Sequence, residues 1–228
     1  MNGCTWRCMC TAVAAMVFSA GAMAFVQPEK PAGQPQMDEK AMAEMAAWEE
    51  VAKPGEHHKH IEAMTGTWDT KSSFWMAPGT DPMVSSAVMV NEMILGGRHL
   101  SHHYKGEVMG QDFEGRGTLS YDNVTKEYVS TWMDSMSTGV MVSKGQCDAA
   151  GKVFTFKGEM VEPSGKKSIT REVLTIKDSN THTMEMWVTG EDGKEWKNME
   201  FVYTRKGSGA ATPAVKPASK PATKPAGR

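Results

Sequence analysis

Gly66-Thr67-Trp68 and Tyr203-Thr204-Arg205 bracket the stretch of this 228-residue chain that decides its fold. Between them apolar and polar residues alternate with a period of two. Turn signals recur at Pro78-Gly79, Gly96-Gly97, Met109-Gly110, Asp122-Asn123, Ala150-Gly151, Ser164-Gly165, 178–180 and Asp192-Gly193. The spacing predicts about ten strands, over 68–76, 84–94, 99–108, 113–121, 127–134, 139–148, 152–161, 166–176, 182–188 and 195–204. Connections this short join antiparallel neighbours, because a parallel crossover needs about a dozen residues or more. The expectation is an all-β, antiparallel up-and-down barrel of about ten strands, preceded by one or two helices and shut at one end by Trp68 and Arg205.

Outward from this body the chain changes character. Residues 1–24 read as a secretory signal peptide: Arg7 is the lone charge, an apolar stretch covers 11–18, and Ala22-Met23-Ala24 offers a small-residue cleavage site. The protein is therefore expected to be exported, periplasmic or secreted. The uncharged run 9–26 is 18 residues long, at the threshold for a membrane span, but it is rich in Ala and Ser and broken by Gly21. No transmembrane span is expected after cleavage. Residues 25–53 read as a Pro-containing spacer and an N-terminal helix over 37–52 that Asp38 can cap; a second helical segment over 54–64 leads into Trp68. The barrel domain is placed at 54–206. Beyond it, 207–228 repeats a Lys-Pro-Ala pattern with no apolar face, which predicts a disordered tail. Its four positive charges offer only a weak contact with an anionic envelope surface.

Cys4, Cys8 and Cys10 lie in the signal, leaving Cys147 as a lone thiol expected to be inert. The fold must then rest on its core rather than on a disulfide. Formal net charge is −2; without Arg7, Lys216, Lys220, Lys224 and Arg228 the body carries −7, which argues against a nucleic-acid partner. Sixteen of the 20 Met lie beyond the signal, and at alternating strand positions they read as core.

Several strings in the body resemble the bacterial domain of unknown function family 1579. They are Glu56-His57-His58-Lys59, Gly66-Thr67-Trp68, Ile94-Leu95-Gly96-Gly97-Arg98, Phe113-Glu114-Gly115-Arg116-Gly117, Ser120-Tyr121-Asp122-Asn123 and Tyr128-Val129-Ser130-Thr131-Trp132-Met133-Asp134. Ser137-Thr138-Gly139, Thr170-Arg171-Glu172-Val173 and Tyr203-Thr204-Arg205 continue the match. The resemblance runs over 54–206 and implies a lipocalin-like (calycin-like) barrel without implying an activity. Gly66-x-Trp68 with a late Arg205 is also similar to the lipocalin pattern, in which the Trp closes the barrel floor and the Arg stacks across it. His58 matches a His the family often carries, whereas His99, His102 and His103 stand where an aromatic and acidic or amide residues are expected.

If Trp68 and Arg205 face inward, alternation puts Thr70, Ser72, Phe74 and Met76 inside on the first strand and Met199, Phe201 and Tyr203 inside on the last. On the third strand Arg98, Leu100, His102 and Tyr104 share the inner face. Similar logic turns Leu119, Tyr121, Tyr128, Trp132, Asp134, Phe154, Phe156, Met184, Met186 and Val188 inward. Aromatic and Met walls with a few fixed polar groups suit a small amphipathic ligand. The candidate ligand-binding residues are Arg98, His102, Tyr104, Tyr121, Trp132 and Asp134, with Arg98 able to meet a carboxylate or phosphate. The competing reading is an Arg98–Asp134 ion pair within a packed barrel.

No metal site is expected. His99 and His103 stand about 13 Å apart along a strand, at ~3.3 Å per residue, and His102 points to the opposite face. His57 and His60 share a helical turn, but two imidazoles leave a zinc site incomplete. A haem would take His102 as its axial ligand, yet no pattern specifies one, and the cofactor stays unknown. There is no Gly-x-Ser-x-Gly elbow, His-Glu-x-x-His or phosphate loop, and no catalytic residue is assigned. Three functions remain open: an exported binding barrel for an amphipathic or lipophilic small molecule, a hydrolase or isomerase using a His102–Asp134 pair, and a ligandless barrel acting as an envelope interaction module. An open cavity keeps the first two, and a solid core keeps the third.

Overall fold

The computed structural model describes residues 38–161, 164–190 and 193–207. The expected signal peptide, the expected spacer and the Lys-Pro segment beyond Gly207 lie outside these residues. The chain divides into two compact units, 1–42 and 43–228. The described part of the first unit holds the start of helix α1 (Glu39–Val51), where the Asp38 carboxylate accepts a hydrogen bond from Ala41 N–H at 2.7 Å.

In the second unit, α2 (Glu56–Glu62) leads into ten strands: β1 (Gly66–Phe74), β2 (Met83–Ile94), β3 (His99–Val108), β4 (Gln111–Asp122), β5 (Glu127–Asp134), β6 (Met141–Cys147), β7 (Val153–Val161), β8 (Lys167–Asp178), β9 (Thr181–Thr189) and β10 (Glu195–Arg205). Each strand pairs antiparallel with its sequence neighbours, and β1 closes on β10 with Trp68 opposite Arg205 and Phe74 opposite Met199. The fold is a closed, ten-stranded up-and-down barrel. Along β1, Trp68, Thr70 and Ser72 are buried and the residues between them are not, the alternation that one packed face demands. No described helix is long and apolar enough to cross a membrane.

Boundaries shift at the connections. β1 stops at Phe74, so Met76, expected on the inner face of the first strand, falls in the β1–β2 connection and is exposed. β6 starts at Met141 rather than 139: Asp134 Oδ1 accepts Met136 N–H at 2.9 Å and turns the chain out of the sheet after β5. α2 begins after Pro54-Gly55, where Gly55 N–H donates to His58 Nδ1 at 3.0 Å. Irregularities in register fall at Lys197/Met199 and Ile176/Asp178.

α2 plugs one end of the barrel. Ile61 in α2 and Met64 just beyond it pack with Leu100, Leu119, Tyr121, Tyr128, Phe154 and Phe156. The Tyr128 hydroxyl lies 3.0 Å from a ring nitrogen of both His57 and His60, and Tyr121 stacks on His57 at 4.0 Å, so these imidazoles pin the helix to β4 and β5. The last carbonyls of α2 are taken by backbone N–H groups, Lys59 O by Ala63, Ile61 O by Met64 and Glu62 O by Thr65, and the carbonyls of the link that follows find their donors in Trp68 and Arg205. Trp68 Nε1 donates to Met64 O at 2.9 Å, and Arg205 Nη1 donates to Thr65 O at 2.7 Å. The guanidinium lies 4.2 Å from the Trp68 ring centroid, while its Nε donates to Ser179 O at 2.8 Å in the β8–β9 turn. Gly66, at φ +130°, makes room: a Cβ there would run into Arg205 Nη1.

Arg205→Lys keeps the charge but loses the planar fork, so it is expected to lower stability by about 2 kcal/mol. Denaturant midpoints of the two proteins check this, and equal midpoints would show that the fork contributes nothing net.

Candidate functional site: the barrel interior

Above the floor the barrel is not solid. A cavity of about 2790 Å³, a volume that takes in its wide mouth, opens at the end opposite α2 between the β1–β2, β3–β4 and β5–β6 connections. Eleven Met side chains among the described residues line it. Met64, Met89 and Met186 are buried and serve as core, as expected, while also bordering this space, and together with the other lining thioethers they form an adaptable apolar wall. At the mouth Met76, Met109 and Met136 are exposed.

Near the floor the wall becomes polar. Asn91 Nδ2 donates to Met64 O at 3.0 Å, which turns its Oδ1 toward His102 Nδ1, 2.9 Å away. The amide oxygen can only accept, so His102 carries its proton on Nδ1 and keeps a lone pair on Nε2. Burial pushes the His102 imidazole down to about 4. His182, between the Trp68 edge (4.2 Å) and the stacked Tyr203 ring (4.3 Å), is pushed to about 3 by burial and by His102 and Arg205. Its Nδ1 is buried without a hydrogen-bond partner. Burial likewise raises the Tyr104 and Tyr203 hydroxyls above their usual range. Both imidazoles and both phenols are therefore neutral near pH 7.

Glu172 is the exception in kind. It is 5% exposed, lines the cavity, and accepts Ser143 Oγ at 2.6 Å. Burial holds its carboxyl above the ordinary carboxylate range, with the Ser143 bond pulling the other way. Across the barrel, Trp132 lies flat on β4: a Cβ at Gly115 would run into the indole, and one at Gly117 would run into Thr131 O and crowd the indole. This accounts for the glycines of Phe113-Glu114-Gly115-Arg116-Gly117. Trp132 Nε1 donates to Asp134 Oδ2 at 3.1 Å, and Tyr104 meets the Trp132 ring edge-on at 6.2 Å.

Of the residues singled out in the sequence, His102, Tyr104, Trp132 and Asp134 line the cavity. Two do not. Arg98 lies outside, just before β3, where its Nε donates to Ala52 O at 2.8 Å and its Nη1 to Leu95 O at 3.0 Å; it ties the α1–α2 link to the β2–β3 turn rather than pairing with Asp134. Tyr121 is inward but packed in the floor cluster. The Arg98 expectation fails because the glycine turn before β3 carries that residue off the sheet's alternation. His102 and Asp134 do not hydrogen-bond to each other; their partners are Asn91, and Trp132 with Met136. His99 and His103 are taken up by Ser120 (2.6 Å) and Glu114 (2.8 Å). Among the described residues no cluster of three or more His, Cys, Asp or Glu is arranged to hold a metal. Cys147 is pushed up to about 12 by burial and by Asp148.

Asn91, Ser143, Glu172 and His182 were not singled out. The alternation of Ser168, Thr170 and Glu172 along β8 carries the signal, but hydroxyls and an acid at every second position look like an outer face.

Acid exposes the two histidines. A depressed imidazole favours the folded chain above about 6.5, and this contribution is lost as pH falls toward the folded values of about 4 and about 3. Glu172, raised, acts with the opposite sign. His102→Gln keeps a donor for Asn91 and is expected to lose about 1–2 kcal/mol less stability than the parent between pH 7 and 5. Denaturation at both pH values checks this, and equal losses would place the acid sensitivity elsewhere.

Among solved structures the barrel is similar to Rv2717c from M. tuberculosis, with a TM-score of 0.51 and 12% identity over 68% of this chain and 99% of that one. That likeness concerns the fold alone. A de novo fluorescence-activating β-barrel is also similar, at TM-score 0.37 and 14% identity over 64% of this chain and 96% of that one. No curated protein matches. The sequence profile described as "Protein of unknown function (DUF1579)" matches residues 53–205, and the chain belongs to that family.

Proposed function

We propose that this is an exported binding protein whose barrel takes one small amphipathic molecule head first, its polar group toward the floor and its apolar body toward the mouth. The observation that carries this reading is the make-up of the cavity: a Met-rich, largely apolar wall into which a few fixed hydrogen-bonding groups, Asn91, His102 and Glu172 among them, project away from the mouth. Apolar surface supplies affinity, and a few fixed polar groups supply orientation. Export rests on the character of residues 1–24. His102 presents a neutral acceptor rather than a charge, and among the described residues no Arg lines the cavity, so the carboxylate anchor expected at Arg98 has no counterpart there.

Titration of the purified protein with 1-dodecanol, followed by tryptophan fluorescence and native mass spectrometry, tests the reading. Saturable one-to-one binding is expected. Met160→Trp, which fills the wall from β7, is expected to weaken it at least about tenfold, given the ~1.4 kcal/mol that this factor represents. Absence of saturable binding, or a Met160→Trp protein that binds as the parent does, would overturn it.

A further inference from the structure

The charges around the cavity are one-sided. Among the described residues four carboxylates line it, Glu107, Asp134, Glu159 and Glu172, against one ammonium, Lys166 in the exposed β7–β8 connection. Glu172 alone of the four is buried, with Ser143 as its hydrogen-bond partner and no Lys or Arg among its described partners. His102 adds an acceptor at depth, since its Nε2 keeps the lone pair, and His182 Nδ1 is a buried ring nitrogen without a hydrogen-bond partner that accepts in one of its two tautomers. An isolated buried acid is costly unless something pairs with it. Aromatic rings complete the wall. Trp132 turns one face to β4, and its N–H is spent on Asp134, while Tyr104 packs against its ring. Aromatic faces of this kind attract cations.

We propose that the cavity selects a cationic head group, a protonated amine on an apolar body, with Glu172 as its counterion. The ammonium supplies hydrogen-bond donors where the site offers acceptors, and a positive charge where it offers a negative one. The raised carboxyl of Glu172 agrees with an acid that has no cation of its own. Below the rim no Lys or Arg among the described residues lines the cavity to meet an anionic amphiphile. This inference rests on the binding reading above and assigns the class of ligand to it.

Three probes of equal chain length separate the two: dodecylammonium, 1-dodecanol and dodecanoate, titrated into the full-length protein at about pH 7.5, where an alkylamine is protonated. Dodecylammonium is expected to bind at least tenfold more tightly than either of the others. Glu172→Gln is expected to erase that advantage while leaving dodecanol affinity within twofold. Met141→Lys places an ammonium in the wall without touching Glu172, and it is expected to reverse the preference toward dodecanoate even if the Gln variant folds poorly. Equal binding of the three probes, or tighter binding of dodecanoate, would overturn the cation inference and leave the binding barrel standing. A Glu172→Gln protein that keeps the preference would remove Glu172 from its role. Failure of all three probes to bind would overturn the binding reading itself.

Discussion

The carbonyls of the link from α2 into β1 are the constraint on which the rest depends. Where the chain leaves the plugging helix for the first strand, its carbonyl oxygens have neither a helix nor a ladder partner in a place that water cannot reach freely, and each must find a donor. Met64 O receives two, from Trp68 and Asn91, and Thr65 O receives Arg205. Through Asn91 the same arrangement reaches His102 and sets which nitrogen of that ring carries the proton. The plug and the polar end of the cavity are thus one hydrogen-bonded system, in which the first, second, third and last strands all take part.

Why the barrel stays hollow follows from its size and its small residues. Eight strands make an interior that side chains can just fill, and ten make a wider one. Hydroxyls at Thr70, Ser72, Ser143 and Thr170 occupy inward positions where a Leu or Phe would have projected toward the axis. Inward glycines on β4 and β7 shrink the wall further: Gly158 sits against Ser143 and Thr170, and Gly115 and Gly117 let Trp132 lie against the sheet instead of across the opening.

Much of the scaffold was legible in the sequence, because strand alternation and turn chemistry are local. Trp68 opposite Arg205, the ten strands and the inward run Trp68, Thr70 and Ser72 all follow from a period of two. The interior was harder. Alternation assigns Met184 and Met186 to the inner face but not to a void, since an apolar residue facing a cavity reads as one facing a neighbour. Arg98 misled because it lies just beyond a turn, where the alternation no longer applies. Glu172 was missed because acids usually mark an outer face, and only the three-dimensional closure reveals that its neighbour Arg171 holds the outside, bonded to Glu195 at 2.7 Å.

The lock that joins Trp68 to Arg205 has a bearing on time as well as on structure. Its two halves belong to the first and last strands, so a growing chain can assemble hairpin after hairpin from β1 onward and still lack the closing ladder until the final strand is made. Local pairs form early, whereas a contact spanning the whole domain must wait for loop closure and its entropy. Until then the outer edge of β1 is an open template and the Met-lined interior is an exposed trough, the features that invite pairing with other chains. The domain therefore becomes safe from aggregation in a single late step, when one arginine arrives.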